Sequence, residues 1–331
     1  MLNFIMLPDM WIYILIGLIL FFIYPILYPY MLINNAFLTL KALSREIEED
    51  LEKIKNIIVE KAKTKKDKKE LTFFLDFFAI LPTSLDPFGI VRKIEFIVNK
   101  EEKKLRDFVN EFSEEKEEEK KRNIEIGIVA AIEINNIKKI VEHFAITIKK
   151  FRNVQLAMLA PLITTIFRRK AKALYKGAKT ILDGFPIGDS IGNLIVTYFI
   201  SKKDKIVELG DCIIVKKKIE NKNVIIIKAK GPGSRLGKLG RVVESVIKKE
   251  KPKKIITIDA AAKLEGEKTG SIAIGVGVAI GGIGVDKFII EEIASKYDID
   301  VETIVIKMSD EEAICPMSPE ILNSKNEATE R

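Results

Sequence analysis

The stretch NVIIIKAKGPGSRLGKLGRVVESVIKKEKPKKIITIDA (223–260) contains two strand-like segments separated by a glycine-rich loop and an amphipathic segment. Residues 223–229 and 254–260 are rich in β-branched side chains, which favours strands. Residues 239–250 have the 3.6-residue apolar period of a helix. Because the same alternation of strands and helices continues downstream, the sequence predicts an α/β domain with a mainly parallel sheet over about 204–320.

The segments on either side complete this predicted domain. Upstream, residues 206–209 and 212–219 have the composition of strands and lead into the strand at 223–229 through a hairpin turn. Downstream, residues 286–297 fit a helix and residues 302–308 fit a strand. The last residues, 321–331, are mostly polar, and we expect them to be disordered.

Glycine is concentrated in this predicted domain. Eleven of the nineteen glycines lie in GPGSRLGKLG (231–240) and EGEKTGSIAIGVGVAIGGIG (265–284). Because glycine lacks a β-carbon, such runs are typical of tight turns and of close approach to a ligand. We therefore expect a glycine-rich ligand site in these loops.

The first glycine block lies between a strand and a helix, where free backbone N–H groups and the helix dipole attract anions. It is not a Walker A motif, because Leu239 stands where Ser or Thr would bind magnesium, and it is one residue longer than G-x-G-x-x-G. It is either an anion site or simply a tight crossover from strand to helix. The predicted ligand contacts are Gly231, Gly233, Ser234, Arg235, Gly237 and Lys238.

The second glycine block follows Asp259, at the predicted carboxyl end of a strand, where open α/β sheets bind ligands. Asp259, Glu265 and Glu267 could hold a divalent cation, or one carboxylate could act as a base beside Lys268. The alternative is a solvated loop with ordinary charges. The further predicted ligand contacts are Thr269, Gly270, Ser271, Gly275 and Gly277. No cofactor is identified by the sequence.

Residues 10–33 contain no charged side chain and would form a helix of about 36 Å at 1.5 Å per residue, longer than the ~30 Å core of a bilayer. This predicts a single transmembrane anchor. No Lys or Arg precedes it, whereas KAKTKKDKK (61–69) follows it. The positive-inside rule then predicts an N-terminus outside the cell and cytoplasmic domains after about residue 35.

A helical domain is predicted at about 35–203. Residues 40–58 have an apolar stripe at spacings of three and four, which fits either a short coiled coil that joins copies of the chain or packing on the following domain. Residues 71–82 are apolar but interrupted by charge and proline, which indicates a buried or membrane-surface helix. Asp86 and Pro87 are predicted to begin a further helix.

The composition restricts the classes of function. The net charge is +8, but charges of both signs alternate along the chain, which is a weak argument for nucleic acid and a better one for an anionic membrane surface. Cys212 and Cys315 have no zinc-type spacing, and His143 is the only histidine. The abundance of Lys, Glu and Ile with one Gln is typical of hyperthermophiles.

Four segments in order resemble an archaeal family of membrane-anchored proteins of unassigned function, a resemblance that covers nearly the whole chain and implies no reaction. They are LDPFGIVRKIE (85–95), DGFPIGDSIG (183–192), KAKGPGSRLGKLG (228–240) and GEKTGSIAIGVGVAIGG (266–282). The C-terminal domain is also distantly similar to the germination-protease and hydrogenase-maturation-protease folds, through its strand, glycine loop, helix and the segment IITIDAAA (255–262). In those folds, acids that follow the strands serve the active site.

Three functions are consistent with these patterns. The first is a membrane-held protein whose α/β domain binds an anionic small molecule such as a nucleotide. The second is a membrane-anchored hydrolase or peptidase that uses Asp259 with Glu265 or Glu267. The third is a non-catalytic membrane scaffold.

Overall fold

The computed structural model describes residues 8–77, 89–231, 238–280 and 284–330. The predicted helix start at Asp86 and Pro87 lies outside these residues. Contacts between Cα atoms divide the chain into two units. The first comprises Met1–Asp50 and Asn135–Ala171, and the second comprises Leu51–Ile134 and Lys172–Arg331.

Helices form nearly all of the N-terminal part of the chain, as predicted. Within the described residues they are α1 (Pro8–Ala62), α2 (Lys68–Phe74), α3 (Ile90–Phe112), α4 (Glu118–Phe151), α5 (Val154–Met158), α6 (Ala160–Leu182) and α7 (Ile191–Tyr198). A 3-10 turn at Gly188–Ser190 leads directly into α7.

The C-terminal part combines strands with helices. The strands are β1 (Ile206–Leu209), β2 (Cys212–Ile219), β3 (Lys222–Ala229), β4 (Lys254–Ala262), β5 (Ile272–Val276) and β6 (Asp300–Met308). The helices are α8 (Leu239–Glu250), α9 (Val285–Lys296), α10 (Asp310–Ile314) and α11 (Pro319–Glu330).

Helix α1 is continuous through Pro25 and Pro29, where the sequence predicts a kink or an end. By length and composition it is apolar enough to cross a membrane, and no part of its apolar window is buried. Further along, the predicted stripe is fully buried within the chain. It consists of Leu40, Leu43, Ile47, Leu51, Ile54 and Ile58. Packing inside the chain therefore accounts for the stripe, and association of copies through 40–58 stays a prediction.

The first unit contains three contacts that align α1 with the end of α4 in antiparallel directions. The Ser44 hydroxyl donates a hydrogen bond to Glu142 over 2.8 Å, and Lys138 pairs with Glu48. The Lys149 ammonium lies 4.2 Å from the centroid of the Phe37 ring. The two helices are therefore antiparallel, and each residue further along α4 lies level with a residue nearer the start of α1.

The prediction of a mainly parallel sheet is wrong. Strands β1, β2 and β3 form an antiparallel sheet in chain order, and the tight turn at Glu220 and Asn221 has positive φ at both residues, as in the two-residue hairpins that reverse the chain. The second sheet has the order β4-β6-β5. There β4 is parallel to β6, but β5 is antiparallel to it, so the region has two small mixed or antiparallel sheets.

Helices α7 and α11 share a core with one face of the second sheet. Its buried members are Ile191, Ile195, Ile306, Met308, Ile321 and Ala328. A β-carbon at Gly192 would lie 2.3 Å from the carbonyl oxygen of Ile258, so only glycine allows α7 to approach β4 this closely. The chain end differs from the predicted disordered tail, because Ile321 and Ala328, on one face of α11, are buried in this core.

Candidate functional site

The predicted catalytic carboxylates occupy different positions around β4. Asp259 lies inside the strand, opposite Val305 of β6, and the strand continues to Ala262. The sequence predicts Asp259 at the end of this strand, whereas three further residues of β4 follow it. Glu265 is exposed in the loop 263–271, which follows the carboxyl end of β4, and Glu267 lies half-buried in the same loop.

Glu267 is held by two internal partners. Its carboxylate pairs with the Lys307 ammonium of β6 and accepts a hydrogen bond from the Leu264 N–H over 2.7 Å. The bond from Lys307, followed by that from Leu264, lowers the pKa of Glu267 below its ordinary value. Glu267 therefore closes the loop onto the sheet as a carboxylate.

Thr269 links this loop to the start of α10. Its hydroxyl accepts a hydrogen bond from Lys263 over 2.7 Å and donates one to Glu312 over 2.8 Å. Glu312 also forms a capping box with Ser309 at the N-terminus of α10. Partial burial raises the pKa of Glu312, but the bonds from Ser309 and Thr269 and the charge of Lys263 outweigh it, so the net pKa is lowered.

The rest of the loop is also held by the protein itself. Gly270 has φ +80°, and a β-carbon there would lie 2.5 Å from the Glu320 carbonyl oxygen. The Ser271 hydroxyl donates to the carbonyl of Lys268, whose side chain is exposed. Over the described ranges, no three His, Cys, Asp or Glu side chains form a group that could hold a metal ion.

The predicted contacts of the glycine blocks are distributed as follows. Gly233, Ser234, Arg235 and Gly237 lie outside the described residues, Gly231 follows β3, and Lys238 immediately precedes α8. Gly275 lies in β5 opposite Thr303, and a β-carbon there would make an ordinary 3.6 Å contact. Gly277 has φ +109° and donates its N–H to the Val301 carbonyl over 3.2 Å.

The two glycine blocks lead into α8 and α9, whose first turns touch. The Gly240 N–H donates to Asp286 Oδ1 over 2.9 Å, and a β-carbon at position 240 would lie 2.8 Å from that oxygen. Burial raises the pKa of Asp286, and the hydrogen bond from Gly240 offsets only part of this rise. This contact was not predicted from the sequence. Its only local sign is Gly240 itself, because glycine is unusual in the first turn of a helix.

A cleft of about 310 Å³ lies between α3, α8 and α9. Its apolar lining is Val91, Phe288, Ile289 and Ile293, and its charged lining is Arg92, Glu95, Arg241, Glu244, Lys248, Glu292 and Lys296. The sequence gives no local signal for this cleft, because its walls come from distant segments. Its volume is within the range of small-molecule sites.

Ion pairs occupy part of the cleft. Both carboxylate oxygens of Glu95 accept hydrogen bonds from Arg241, at 3.2 and 3.0 Å. Glu244 pairs with Arg241 at 3.4 Å and with Lys248 at 2.8 Å. Within the described part of the chain, Arg92 and Lys296 have no ionic partner. The cleft therefore offers two uncommitted cations beside an apolar wall.

Two family models match successive parts of the chain. Residues 10–184 match the model described as "Protein of unknown function (DUF1512) N-terminal domain", and residues 187–331 match "Domain of unknown function (DUF1512) C-terminal". Comparison with curated proteins and with solved structures gave no match. Since the two models together cover nearly all of the sequence in the expected order, the chain belongs to the DUF1512 family.

Proposed function

We propose that this protein binds an anionic small molecule, such as a nucleotide or another phosphorylated compound, in the cleft between α3, α8 and α9. The observation that carries the proposal is the pair of cations, Arg92 and Lys296, which have no ionic partner among the described residues and lie beside the apolar side chains of Phe288 and Ile293. Charged groups supply attraction to an anion, and the apolar wall supplies contact area for its uncharged part.

The cleft is a better candidate than the loop 263–271. In the loop, Glu267 and Thr269 are engaged with Lys307, Lys263 and Glu312, so a ligand would have to replace several internal hydrogen bonds. The lowered pKa of Glu267 also makes it a poor proton acceptor near neutral pH. The binding function is therefore favoured over a hydrolase that uses this loop.

The proposal includes attachment to a membrane through residues 10–33, with the N-terminus outside and the remaining chain in the cytoplasm. Two sequence features support it: the uncharged apolar segment at the start of α1 and the restriction of Lys and Arg to the residues that follow it. A binding site held at the inner surface would then meet its ligand beside the bilayer.

Thermal unfolding of the detergent-solubilised full chain tests the binding function. The panel comprises ATP, GTP, pyrophosphate and inorganic phosphate, because a ligand that binds only the folded state raises Tm. We expect a rise with at least one phosphorylated compound, lost in the double variant Arg92→Glu, Lys296→Glu. The double variant Lys103→Glu, Lys253→Glu, which makes the same charge change at two exposed positions outside the cleft, is the matched control.

Two results would overturn the binding function. One is an unchanged Tm with every compound, which would leave the scaffold function. The other is a rise in Tm that survives both charge reversals in the cleft, which would place the ligand elsewhere in the chain.

A further inference from the structure

Residues 146–166 form the tip of the α4–α6 hairpin. It combines large exposed apolar side chains with basic ones. Phe151 is 69% exposed and Met158 is 63% exposed, and further exposed apolar residues are Ile146, Leu159, Leu162 and Ile166. Single exposed apolar side chains are common, but six of them within the 21 residues of the tip indicate a partner.

The charge of this region has one sign. No Asp or Glu occurs between Glu142 and Asp183, whereas the tip itself carries Lys149, Lys150 and Arg152. All three basic side chains are exposed. Such a surface is complementary to anionic phospholipid headgroups above an apolar layer, and basic residues near such a surface each contribute about 1 kcal/mol of attraction.

The position of the tip along α1 identifies the partner. Lys149 lies over Phe37 and Glu142 accepts a hydrogen bond from Ser44, so the antiparallel register places Phe151 level with about residue 35 of α1. The predicted transmembrane segment ends at residue 33, and the polar residues Asn34 and Asn35 follow it. Burial of α1 also begins here, since Ile33 and Ala36 are buried whereas residues 11–28 are exposed. The tip therefore lies level with the end of the proposed membrane span.

We propose that the tip inserts its apolar side chains into the headgroup layer of the bilayer that α1 crosses, while Lys149, Lys150 and Arg152 contact anionic lipid phosphates. This inference rests on the membrane attachment in the proposed function. It gives the protein a second, interfacial contact with the same membrane, so that α1 and the hairpin together fix the first unit against the bilayer.

Tryptophan depth measurements on the full chain test the insertion. Trp11 is the only tryptophan, so Phe151→Trp in a Trp11→Phe background reports the tip alone. The chain is reconstituted in vesicles of phosphatidylcholine and phosphatidylglycerol that contain acyl-brominated lipid. Ile140→Trp in the same background is the matched control, because Ile140 is also exposed and lies about 16 Å back along α4.

We expect blue-shifted emission and strong quenching at position 151, and neither at position 140. Met158→Trp, at a second exposed site of the tip, repeats the measurement if the first variant is poorly folded. Replacing Lys150 and Arg152 by Glu should reduce quenching at position 151 in anionic vesicles, because the phosphate contacts are lost.

Quenching of Trp11 in the unmodified chain tests the proposed span independently of the tip. Quenching of Trp11 without quenching at 151 and 158 would overturn insertion of the tip and leave the span. Quenching at 151 without quenching of Trp11 would support the tip and overturn the span. Equal quenching at 140 and 151 would contradict insertion limited to the headgroup layer, and an absence of quenching at every position would overturn both.

Discussion

The amide of Gly240 donates to the Asp286 carboxylate over 2.9 Å, and a β-carbon at position 240 would lie 2.9 Å from the Asp286 Cα. The first turns of α8 and α9 are therefore in backbone contact. Since both helices line the proposed ligand cleft, this contact sets the distance between two of its walls. It also gives the first glycine block a structural role at its last residue, Gly240, which lies in the first turn of α8.

Replacing Gly240 by Val should separate the two helices. The added atoms would overlap the Asp286 backbone, and overpacking of this kind costs about 1–3 kcal/mol. We expect a lower unfolding free energy in urea and a weaker ligand-induced rise in Tm. Gly275→Ala is the control, because its added methyl group would make an ordinary contact with Thr303. Equal stability of the two variants would show that α8 and α9 are not in close contact.

Thr269→Val tests whether the loop 263–271 is structural. Valine keeps the shape but removes both hydrogen bonds, leaving Lys263 and Glu312 without this partner, at a cost of about 1 kcal/mol at a half-buried site. We expect lower stability and an unchanged ligand-induced shift in Tm. Ser271→Ala, which removes one local bond to Lys268, should have less effect. Loss of the shift at unchanged stability would instead make the loop the ligand site.

Glu115 should make the second unit sensitive to acid. It is buried, and hydrogen bonds from Lys63 and from the N–H groups of Glu117 and Lys116 lower its pKa from 4.5 to about 2. Because the unfolded chain takes up this proton first, the stability that the carboxylate contributes is present above pH 4.5 and is lost as pH falls towards 2.

Glu115→Gln measures that contribution. The variant should be less stable than the wild type at pH 7, and the difference should shrink in thermal scans between pH 4.5 and 2.5. Glu114→Gln, at the exposed neighbouring carboxylate, should follow the wild type at every pH. A constant difference between Glu115→Gln and the wild type would contradict a lowered pKa.

Local patterns predicted much of the fold, because they record which side chains avoid water. The stripe at 40–58, the hairpin turn near Glu220 and the strand-and-helix segments after residue 204 are present in the structure. Strand direction in the sheets was predicted incorrectly. It depends on which strands become neighbours, and β5 lies beside β6 rather than beside β4.

The candidate site was much less accessible to sequence reasoning. The charges of the loop 263–271 were visible, but their partners were not: Lys307, which pairs with Glu267, lies 40 residues further along the chain. The cleft is more remote still, since Glu95 and Arg241 are 146 residues apart. Motif spacing reports only nearby residues, so it indicated the glycine blocks rather than the cleft that the following helices form.

Removing the charge of Glu95 should strengthen anion binding. Glu95 holds Arg241 in a two-bond pair, and Glu95→Gln would leave that guanidinium freer to bind an anion while removing a repulsive charge from the cleft. The pair is partly exposed, so its loss should cost less than about 1 kcal/mol of stability.

Titration calorimetry with the compound that raises Tm most should therefore show a several-fold lower Kd for Glu95→Gln at low salt. The gain should shrink at high salt, since screening weakens charge attraction. Asp107→Asn removes one negative charge from an exposed position of the same helix, so it controls for net charge and should leave Kd nearly unchanged. Equal gains in the two variants would mean that the anion responds to the overall charge of the protein and does not lie beside Arg241.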